Sequence, residues 1–329
     1  MRVIGLEEHF VTDDVLAAGH RLAPHERDLA FRPASQGETS RRLLDLGADR
    51  LTAMDDTGMD VQVLSLTTPG LQNLPAAEAV ALQRASNDAL ADAVRARPDR
   101  FQGLATLATA DPAAAAAELD RAVTRLGLNG AMVFGRTGER NLDDPTSWPI
   151  FEAAEALRAP LHLHPQSPPP AVRSAYYSGF GDSVDAAFAT FGVGWHYDAG
   201  VQFLRLVLGG VLDRFPGLQV IVGHWGELVL FFLDRIKQLV AAAQLPRSLD
   251  EYVRDHLVVA PSGILSQRYL RWAVEVLGAD RIVFSTDYPF EGASRSGARD
   301  FLEAADLPVD ARDMIASGTW DRLCADIRR

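Results

Sequence analysis

Cysteine is almost absent from this sequence. Its 329 residues include one cysteine, Cys324, which excludes an intramolecular disulfide framework and a cysteine-rich zinc site. No run of residues approaches the ~20 apolar positions of a membrane-spanning helix. The amino-terminal MRVIGLEEHF has no long apolar segment of the kind a signal peptide needs. Together these absences predict a cytoplasmic protein without a membrane segment.

Basic residues are in deficit. The chain has 32 Lys and Arg against 44 Asp and Glu, a net charge of −12. Such a balance argues against nucleic acid or an anionic membrane as the main partner. A small anionic substrate stays compatible with it, because a metal ion or a few local cations can dominate the potential inside a pocket. Apolar residues make up 47% of the chain, enough for a large core.

Short apolar runs recur along the whole chain and are typical of buried strands. Eight strands are predicted, at residues 3–6, 61–66, 101–107, 130–134, 161–164, 218–222, 257–259 and 281–284. Helical patterns follow nearly all of them, without a composition break. The pattern predicts one (β/α)₈ TIM-barrel domain over residues 1–329. The alternative, a doubly wound open sheet, would need a glycine-rich phosphate turn, and no GxGxxG follows any strand.

The predicted helices are separated by two insertions. Helices are expected at residues 41–58, 76–97, 112–126, 145–159, 182–215, 223–243, 266–277 and 297–327, the fifth of them broken near Gly192–Gly194. Residues 11–40 are predicted to be an irregular loop, and a loop of that length is typical of a lid over a pocket. Residues 165–197 form the second predicted insertion, irregular as far as residue 181.

Polar side chains follow several predicted strands at their carboxyl ends. They are Glu7 and His9 after the first strand, His162 and His164 in the fifth, His224 after the sixth and Asp287 after the eighth. Residues two apart in a strand point the same way, and the carboxyl ends of the strands meet at one rim of a barrel. Imidazole and carboxylate groups with open positions describe a catalytic divalent-metal site. Each residue alone has a plain structural role open to it, but their coincidence at strand ends favours a metal or catalytic cluster.

Four motifs give the chain a family resemblance. EEHF at the first strand, HLHP at the fifth, GHWGE at the sixth and STDYPFE at the eighth resemble the amidohydrolase-related superfamily. Within it, the chain is most similar to the branch of aminocarboxymuconate-semialdehyde and dihydroxybenzoate (γ-resorcylate) decarboxylases. The resemblance covers nearly the whole chain and implies the same barrel.

The resemblance also implies a set of site residues. Its metal ligands, for one Zn²⁺ or Mn²⁺ ion, would be Glu7, His9, His164 and Asp287. The catalytic residues would be Asp287, as proton donor to the substrate carbon, with His224 and Glu227. Arg235 and Phe290 would bind the substrate, a small carboxylic acid. The branch is commonly dimeric or tetrameric, so a homodimer or homotetramer is expected.

Three functions are compatible with these residues. The first is non-oxidative decarboxylation of a hydroxylated aromatic or related unsaturated acid. The second is hydrolysis of an amide, ester or lactone by metal-activated water. Two-metal hydrolases of the superfamily often use a carboxylated lysine on the fourth strand, and the segment 131–136 has no lysine, which favours one metal. The third is a binding protein without activity, which the presence of every expected ligand disfavours.

Overall fold

Eight parallel strands form the centre of the computed structural model, which describes residues 1–290 and 297–329. In chain order they are β1 (Ile4–Phe10), β2 (Val61–Leu66), β3 in two pieces (Phe101–Gly103 and Ala105–Thr106), β4 (Ala131–Phe134), β5 (Leu161–His164), β6 (Val220–Val222), β7 (Leu257–Val259) and β8 (Phe284–Ser285). The eight predicted strands are therefore confirmed in number and order. A short antiparallel pair, Arg136–Thr137 with Arg140–Asn141, follows β4.

The strands follow one another around a ring. One sheet has the order β8-β1-β2-β3 and the other β7-β6-β5-β4-β3, because the two pieces of β3 pair on opposite sides. A parallel bridge between Val259 and Ile282 joins β7 to the start of β8, and the Val283 N–H donates to the Val259 carbonyl at 2.9 Å. The pairing confirms the (β/α)₈ barrel class and places all carboxyl ends of the strands at one rim.

Helices connect the strands. The outer helices are Ala48–Thr57, Ala76–Ala96, Pro112–Thr124, Trp148–Leu157, Gly194–Leu208, Leu233–Ala242, Leu249–His256, Gln267–Leu277, Ala298–Glu303 and Thr319–Ala325. Asp111 caps the third of these through the Ala114 N–H, with Pro112 at its first position, as the sequence predicts. Among the described residues, none of the helices has the length and apolar character needed to cross a membrane.

The prediction of an irregular segment 11–40 was wrong. It contains three helices, Asp13–Arg21, Phe31–Ala34 and Gly37–Leu44. The first is capped by Thr12, which accepts from the Val15 N–H, and carries acidic residues in its first turn and basic ones in its last, so local charge stabilises it. The predicted helix 41–58 is divided at Asp45, whose carboxylate accepts from the Gly47 and Arg50 N–H groups.

The second insertion also contains helices, although it was predicted as irregular to residue 181. Pro170–Tyr176 lies in the part predicted as irregular, whereas Asp182–Ala187 and the π-helical turn Phe188–Gly192 fall within the predicted helix 182–215. The predicted break near Gly192–Gly194 is confirmed, because Thr190 is non-helical and a new helix begins at Gly194.

The predicted helix 223–243 was wrong in its first part. The long helix of this segment begins only at Leu233, because His224, Trp225 and Glu227 have positive φ angles.

Two apolar layers stabilise the barrel. Alternate strand residues such as Ile4, Leu6, Val61 and Val63 fill its interior, and the other faces pack under the helices. Trp320, from the last helix, is 1% exposed within the interior cluster, and its indole N–H donates to Gln102 Oε1 at 2.7 Å.

We expect Trp320→Ala to lower the free energy of unfolding by about 3–5 kcal/mol, the cost of emptying a large buried aromatic site. The loss arises mainly from the cavity left in the barrel interior and in part from the lost indole hydrogen bond, since Gln102 Oε1 still accepts from Asn129. Denaturant unfolding measures it, with Trp320→Phe as the control that retains most of the volume. A loss below about 1 kcal/mol would contradict this packing.

Candidate metal centre and cavity

Four predicted ligands meet at the carboxyl ends of the strands. Glu7 and His9 lie in β1, His164 ends β5 and Asp287 follows β8. Their candidate ligand atoms all lie within 4.8 Å of one another. His164 Nε2 is 3.1 Å from Glu7 Oε1, and His9 Nε2 is 3.2 Å from Asp287 Oδ1. We refer to these residues as the four-residue cluster.

The proton on His164 shows why this cluster fits a cation. His164 Nδ1 lies 2.8 Å from the Pro165 carbonyl, which is only an acceptor, so Nδ1 carries the hydrogen. The Nε2 lone pair then faces the carboxylate of Glu7, whose Oε1 is buried and has no hydrogen bond. Two facing lone pairs repel unless a metal ion or a proton lies between them, and the separation of 3.1 Å is longer than that of a short charge-assisted hydrogen bond. A backbone acceptor behind a ligating imidazole is also the usual arrangement of a metal histidine.

Electrostatics keep Glu7 and His9 in the forms that bind metals. Burial raises the pKa of Glu7, but His162 and His164 outweigh that effect and hold it well below its usual range. Burial lowers the pKa of His9 to about 4, so its imidazole is neutral. An ionised carboxylate and neutral imidazoles are the states that coordinate divalent ions.

The backbone of the site is strained. Glu7, His224, Glu227, Ser262 and Asp287 have φ angles between 45° and 59°. Residues other than glycine adopt this region at an energetic cost and concentrate at functional sites. In β1 the register with β2 shifts between Gly5 and Glu8, a bulge that turns the Glu7 side chain into the cluster.

His224 and Glu227 form a close pair beside the cluster. His224 Nδ1 lies 2.7 Å from Glu227 Oε1, and the Glu227 side chain is fully buried. Burial lowers the pKa of His224, but the charge and hydrogen bond of Glu227 outweigh it and raise that pKa to about 10. The pair therefore places a positively polarised imidazole at the edge of the site.

We expect Glu227→Gln to lower the pKa of His224 from about 10, because the largest charge and the hydrogen bond that oppose burial are then lost, while the smaller contributions of Glu7 and Asp287 remain. In the parent protein the resulting stabilisation is complete below pH 6.5 and is lost as the pH rises through about 10. NMR titration of the metal-free protein measures the shift, with the exposed Glu275→Gln as the control. An unchanged pKa in Glu227→Gln would contradict the pairing.

A cavity of about 490 Å³ opens above the cluster. His9, His164, His224 and Asp287 form its floor, and Phe290 lies at its side. Both insertions contribute to its walls, the first through residues such as Leu29 and Pro33 and the second through Thr190, Phe191 and Trp195. The walls are largely apolar, a setting that suits an aromatic ring.

Of the other residues predicted for the site, Phe290 lines the cavity and Arg235 does not. Phe290 is 38% exposed and its ring centroid lies 5.7 Å from that of His9. Arg235 is exposed on the helix Leu233–Ala242, donates to Gln238 Oε1 at 3.2 Å and is not among the residues that line the cavity. His162 is fully buried, with its Nε2 3.6 Å from Glu7 Oε2. Glu8 points away from Glu7 and accepts from Thr286, as strand alternation predicts.

Three residues of the site were not predicted from the sequence. Ser262 donates from its hydroxyl to Glu7 Oε2, and Thr68 lies 2.8 Å from His164 Nδ1. His196 lies 2.7 Å from Glu227 Oε2 and lines the cavity. Ser262 and Thr68 come shortly after predicted strands, so the strand-end pattern could have identified both as candidate site residues. His196 lies in a helix after an insertion, where the sequence carries no such signal.

The fold and this site define a barrel protein with a candidate metal centre at the carboxyl ends of its strands. The chain belongs to the amidohydrolase family, whose model matches residues 17–319. It is 32% identical to the γ-resorcylate decarboxylase of Polaromonas sp. (strain JS666), over 97% of each chain. The family predicted from the four motifs is thereby confirmed.

Solved structures agree with this assignment. The crystal structure of 5-carboxyvanillate decarboxylase LigW from Sphingomonas paucimobilis has a TM-score of 0.89 and 33% identity, covering 99% of both chains. The dihydroxybenzoic acid decarboxylase of Polaromonas sp. JS666, with bound manganese and 2-nitroresorcinol, has a TM-score of 0.84 and 31% identity, covering 98% of this chain and 97% of that one. These similar proteins are carboxy-lyases.

Proposed function

We propose that this protein is a metal-dependent decarboxylase of a hydroxylated aromatic or related unsaturated carboxylic acid. The observation that carries the proposal is the four-residue cluster at the floor of a largely apolar cavity. The similarity to decarboxylases of hydroxylated benzoates over nearly the whole chain supports this reaction rather than hydrolysis. We also propose that residues 1–329 form one barrel domain.

Glu7, His9, His164 and Asp287 would hold one divalent ion, Mn²⁺ or Zn²⁺. The manganese in the similar Polaromonas structure supports Mn²⁺. When bound, such an ion orients a carboxylate and the neighbouring phenolic oxygen and stabilises the negative charge on them. The lone pair of His164 Nε2, which faces Glu7 across 3.1 Å, supports this ligand set.

Asp287 is the proposed proton donor in the reaction. Its side chain is 15% exposed and lines the cavity. It transfers a proton to the ring carbon that bears the carboxylate, so a carbon–hydrogen bond forms and the carbon–carbon bond then breaks. Carbon dioxide leaves, the electron pair of the broken bond restores the aromatic ring, and Asp287 regains a proton from solvent.

The other side chains bind and polarise the substrate. His224, held by Glu227, donates a hydrogen bond to a substrate oxygen, which favours charge on that oxygen. The Phe290 ring lies beside His9 and would pack against the aromatic ring of the substrate. Arg235 as a carboxylate-binding residue stays a prediction, because it lies outside the cavity of the single chain.

The test is a panel of acids assayed for carbon dioxide release by protein loaded with Mn²⁺ or Zn²⁺. The panel contains 2,6-dihydroxybenzoate, 5-carboxyvanillate and other hydroxybenzoates and heteroaromatic acids. We expect release from at least one hydroxylated acid and none from benzoate, which lacks the chelating oxygen. Hydrolysis of an ester or lactone panel without carbon dioxide release would overturn the proposal in favour of the hydrolase.

Assembly and location are further proposals. We expect a homodimer or homotetramer, in the cytoplasm, without nucleic acid or membrane as partner. The exposed aromatic side chains of Phe191, Phe231 and Tyr269 support an assembly, since large apolar groups on a surface favour contact with another chain. Light scattering of the purified protein measures its state.

A further inference from the structure

One carboxylate in this structure is held by two imidazoles. Glu227 Oε1 lies 2.7 Å from His224 Nδ1, and Glu227 Oε2 lies 2.7 Å from His196 Nδ1. The two imidazole rings are 4.7 Å apart and cross at 71°. We refer to His196, Glu227 and His224 as the His–Glu–His cluster.

The hydrogen bonds determine where the protons lie. His196 Nε2 is 2.9 Å from the Phe191 carbonyl, which can only accept, so this nitrogen carries a hydrogen. His196 Nδ1 faces a carboxylate oxygen, which also accepts. Both bonds can form only if His196 carries two hydrogens and a positive charge. His224 carries a hydrogen on Nδ1 for Glu227 Oε1, and the Nε2–H of its protonated imidazole is left to face the cavity.

The distances within the His–Glu–His cluster fit hydrogen bonds better than they fit a second bound metal ion. Two nitrogen or oxygen ligands at tetrahedral angles around zinc lie about 3.4 Å apart. The nearest ligand pairs of the four-residue cluster, at 3.1 and 3.2 Å, approach that spacing. Both pairs in the His–Glu–His cluster lie at 2.7 Å, the length of a charge-assisted hydrogen bond.

His196 also connects the cavity wall to the catalytic pair. It lies in the first turn of the helix Gly194–Leu208, and its acceptor Phe191 belongs to the turn Phe188–Gly192. Both residues line the cavity, as does His224. The His196 ring, which is hydrogen-bonded at both nitrogens, therefore links the cavity wall formed by the second insertion to the buried carboxylate of Glu227, which orients His224.

We propose that His196 is a positioning residue, a cationic side chain that fixes Glu227 and thereby the orientation of the His224 ring and the hydrogen on its Nδ1. It acts through Glu227 and does not exchange atoms with the substrate. Its kinetic consequence rests on the proposed decarboxylation. Its charge and hydrogen bonds are independent of that reaction.

Two substitutions separate the two bonds of His196. His196→Asn retains an N–H close to the position of Nδ1, so the bond to Glu227 persists while the charge and the bond to Phe191 are lost. His196→Leu removes both bonds. We expect kcat to fall about 10- to 100-fold in His196→Leu, the usual loss when an orienting partner of a site is removed. We expect a smaller fall in His196→Asn, with KM changed less than kcat in both.

The exposed His25→Asn is the matched control and should leave kcat, KM and metal content unchanged. Metal content should also stay the same in both His196 variants, because His196 lies outside the four-residue cluster. Equal values of kcat in the parent protein and in His196→Leu would overturn the positioning role. Thermal unfolding of each variant shows whether a loss of activity reflects a loss of fold.

A spectroscopic measurement tests the proposal without turnover. Histidine side-chain ¹⁵N–¹H NMR of the parent protein should show two protonated nitrogens on His196 and an Nδ1 hydrogen on His224. In His196→Leu the His224 signals should broaden or shift, because Glu227 has lost one of its two donors. A His196 with one protonated nitrogen would overturn the proposal, as would a second Mn²⁺ or Zn²⁺ per chain that His196→Leu removes.

The two proposals fail in different ways. If the protein releases carbon dioxide from none of the acids, the decarboxylase proposal fails, and the NMR spectrum still decides the charge of His196. If carbon dioxide is released and His196→Leu is as active as the parent, only the positioning role fails.

Discussion

Asp287→Asn is expected to lower kcat for carbon dioxide release by about 10³-fold, in the middle of the range that a positioned proton donor contributes. Asparagine retains the size of the side chain but has no acidic proton for the ring carbon. It is also a weaker ligand than a carboxylate, so part of the loss will come from the metal. The exposed Asp300→Asn is the control for the substitution itself and should retain full activity.

Metal content separates the two effects of this substitution. Activity is compared at equal occupancy, after both proteins are loaded with excess Mn²⁺. If Asp287→Asn then still has the lower kcat, the loss belongs to proton transfer. If the loaded variant recovers the parent rate, Asp287 serves only as a ligand, and another group must supply the proton.

Loss of the metal is the second large effect that we expect. His164→Ala and Glu7→Gln should each lower the affinity for the divalent ion by at least ~10²-fold, more than the loss of an outer-shell partner. His164→Ala removes one donor from a small buried set, and Glu7→Gln replaces a charged carboxylate by a neutral, weaker amide ligand. About one ion per chain in the parent protein should fall to near zero after dialysis, and carbon dioxide release should fall with it.

A buried histidine outside the cluster provides the control for this experiment. His256 is fully buried and bonded to the Leu218 carbonyl and to Arg247. His256→Gln should lower stability and retain the metal. Elemental analysis and calorimetric titration with Mn²⁺ measure both properties. Parent-like affinity in His164→Ala and Glu7→Gln would show that the ion, if any, binds elsewhere.

Local patterns explain why the barrel was predicted correctly and why the residues of the four-residue cluster were expected to meet at one rim; their role as metal ligands stays a prediction. Strand residues alternate with a fixed period, and the carboxyl ends of parallel strands share one rim. The histidine at the end of β5 therefore followed from its place in the pattern, as did the shared face of Glu7 and His9, whereas the bulge that turns Glu7 into the cluster did not. The ranges 11–40 and 223–243 were less regular in sequence, and their helices were predicted incorrectly, because short capped helices and positive φ angles depend on contacts outside the local window.

The sequence by itself determined the order of eight strands, the excess of acidic residues and the polar side chains at the strand ends. Only the tertiary structure decided that His196 and Glu227, 31 residues apart, share a hydrogen bond, and that Arg235 is exposed on its helix. The physical reason is the range of the interaction. Alternation along a strand is a property of neighbouring residues, whereas the face that a helix presents and the partner of a buried carboxylate depend on how distant segments pack.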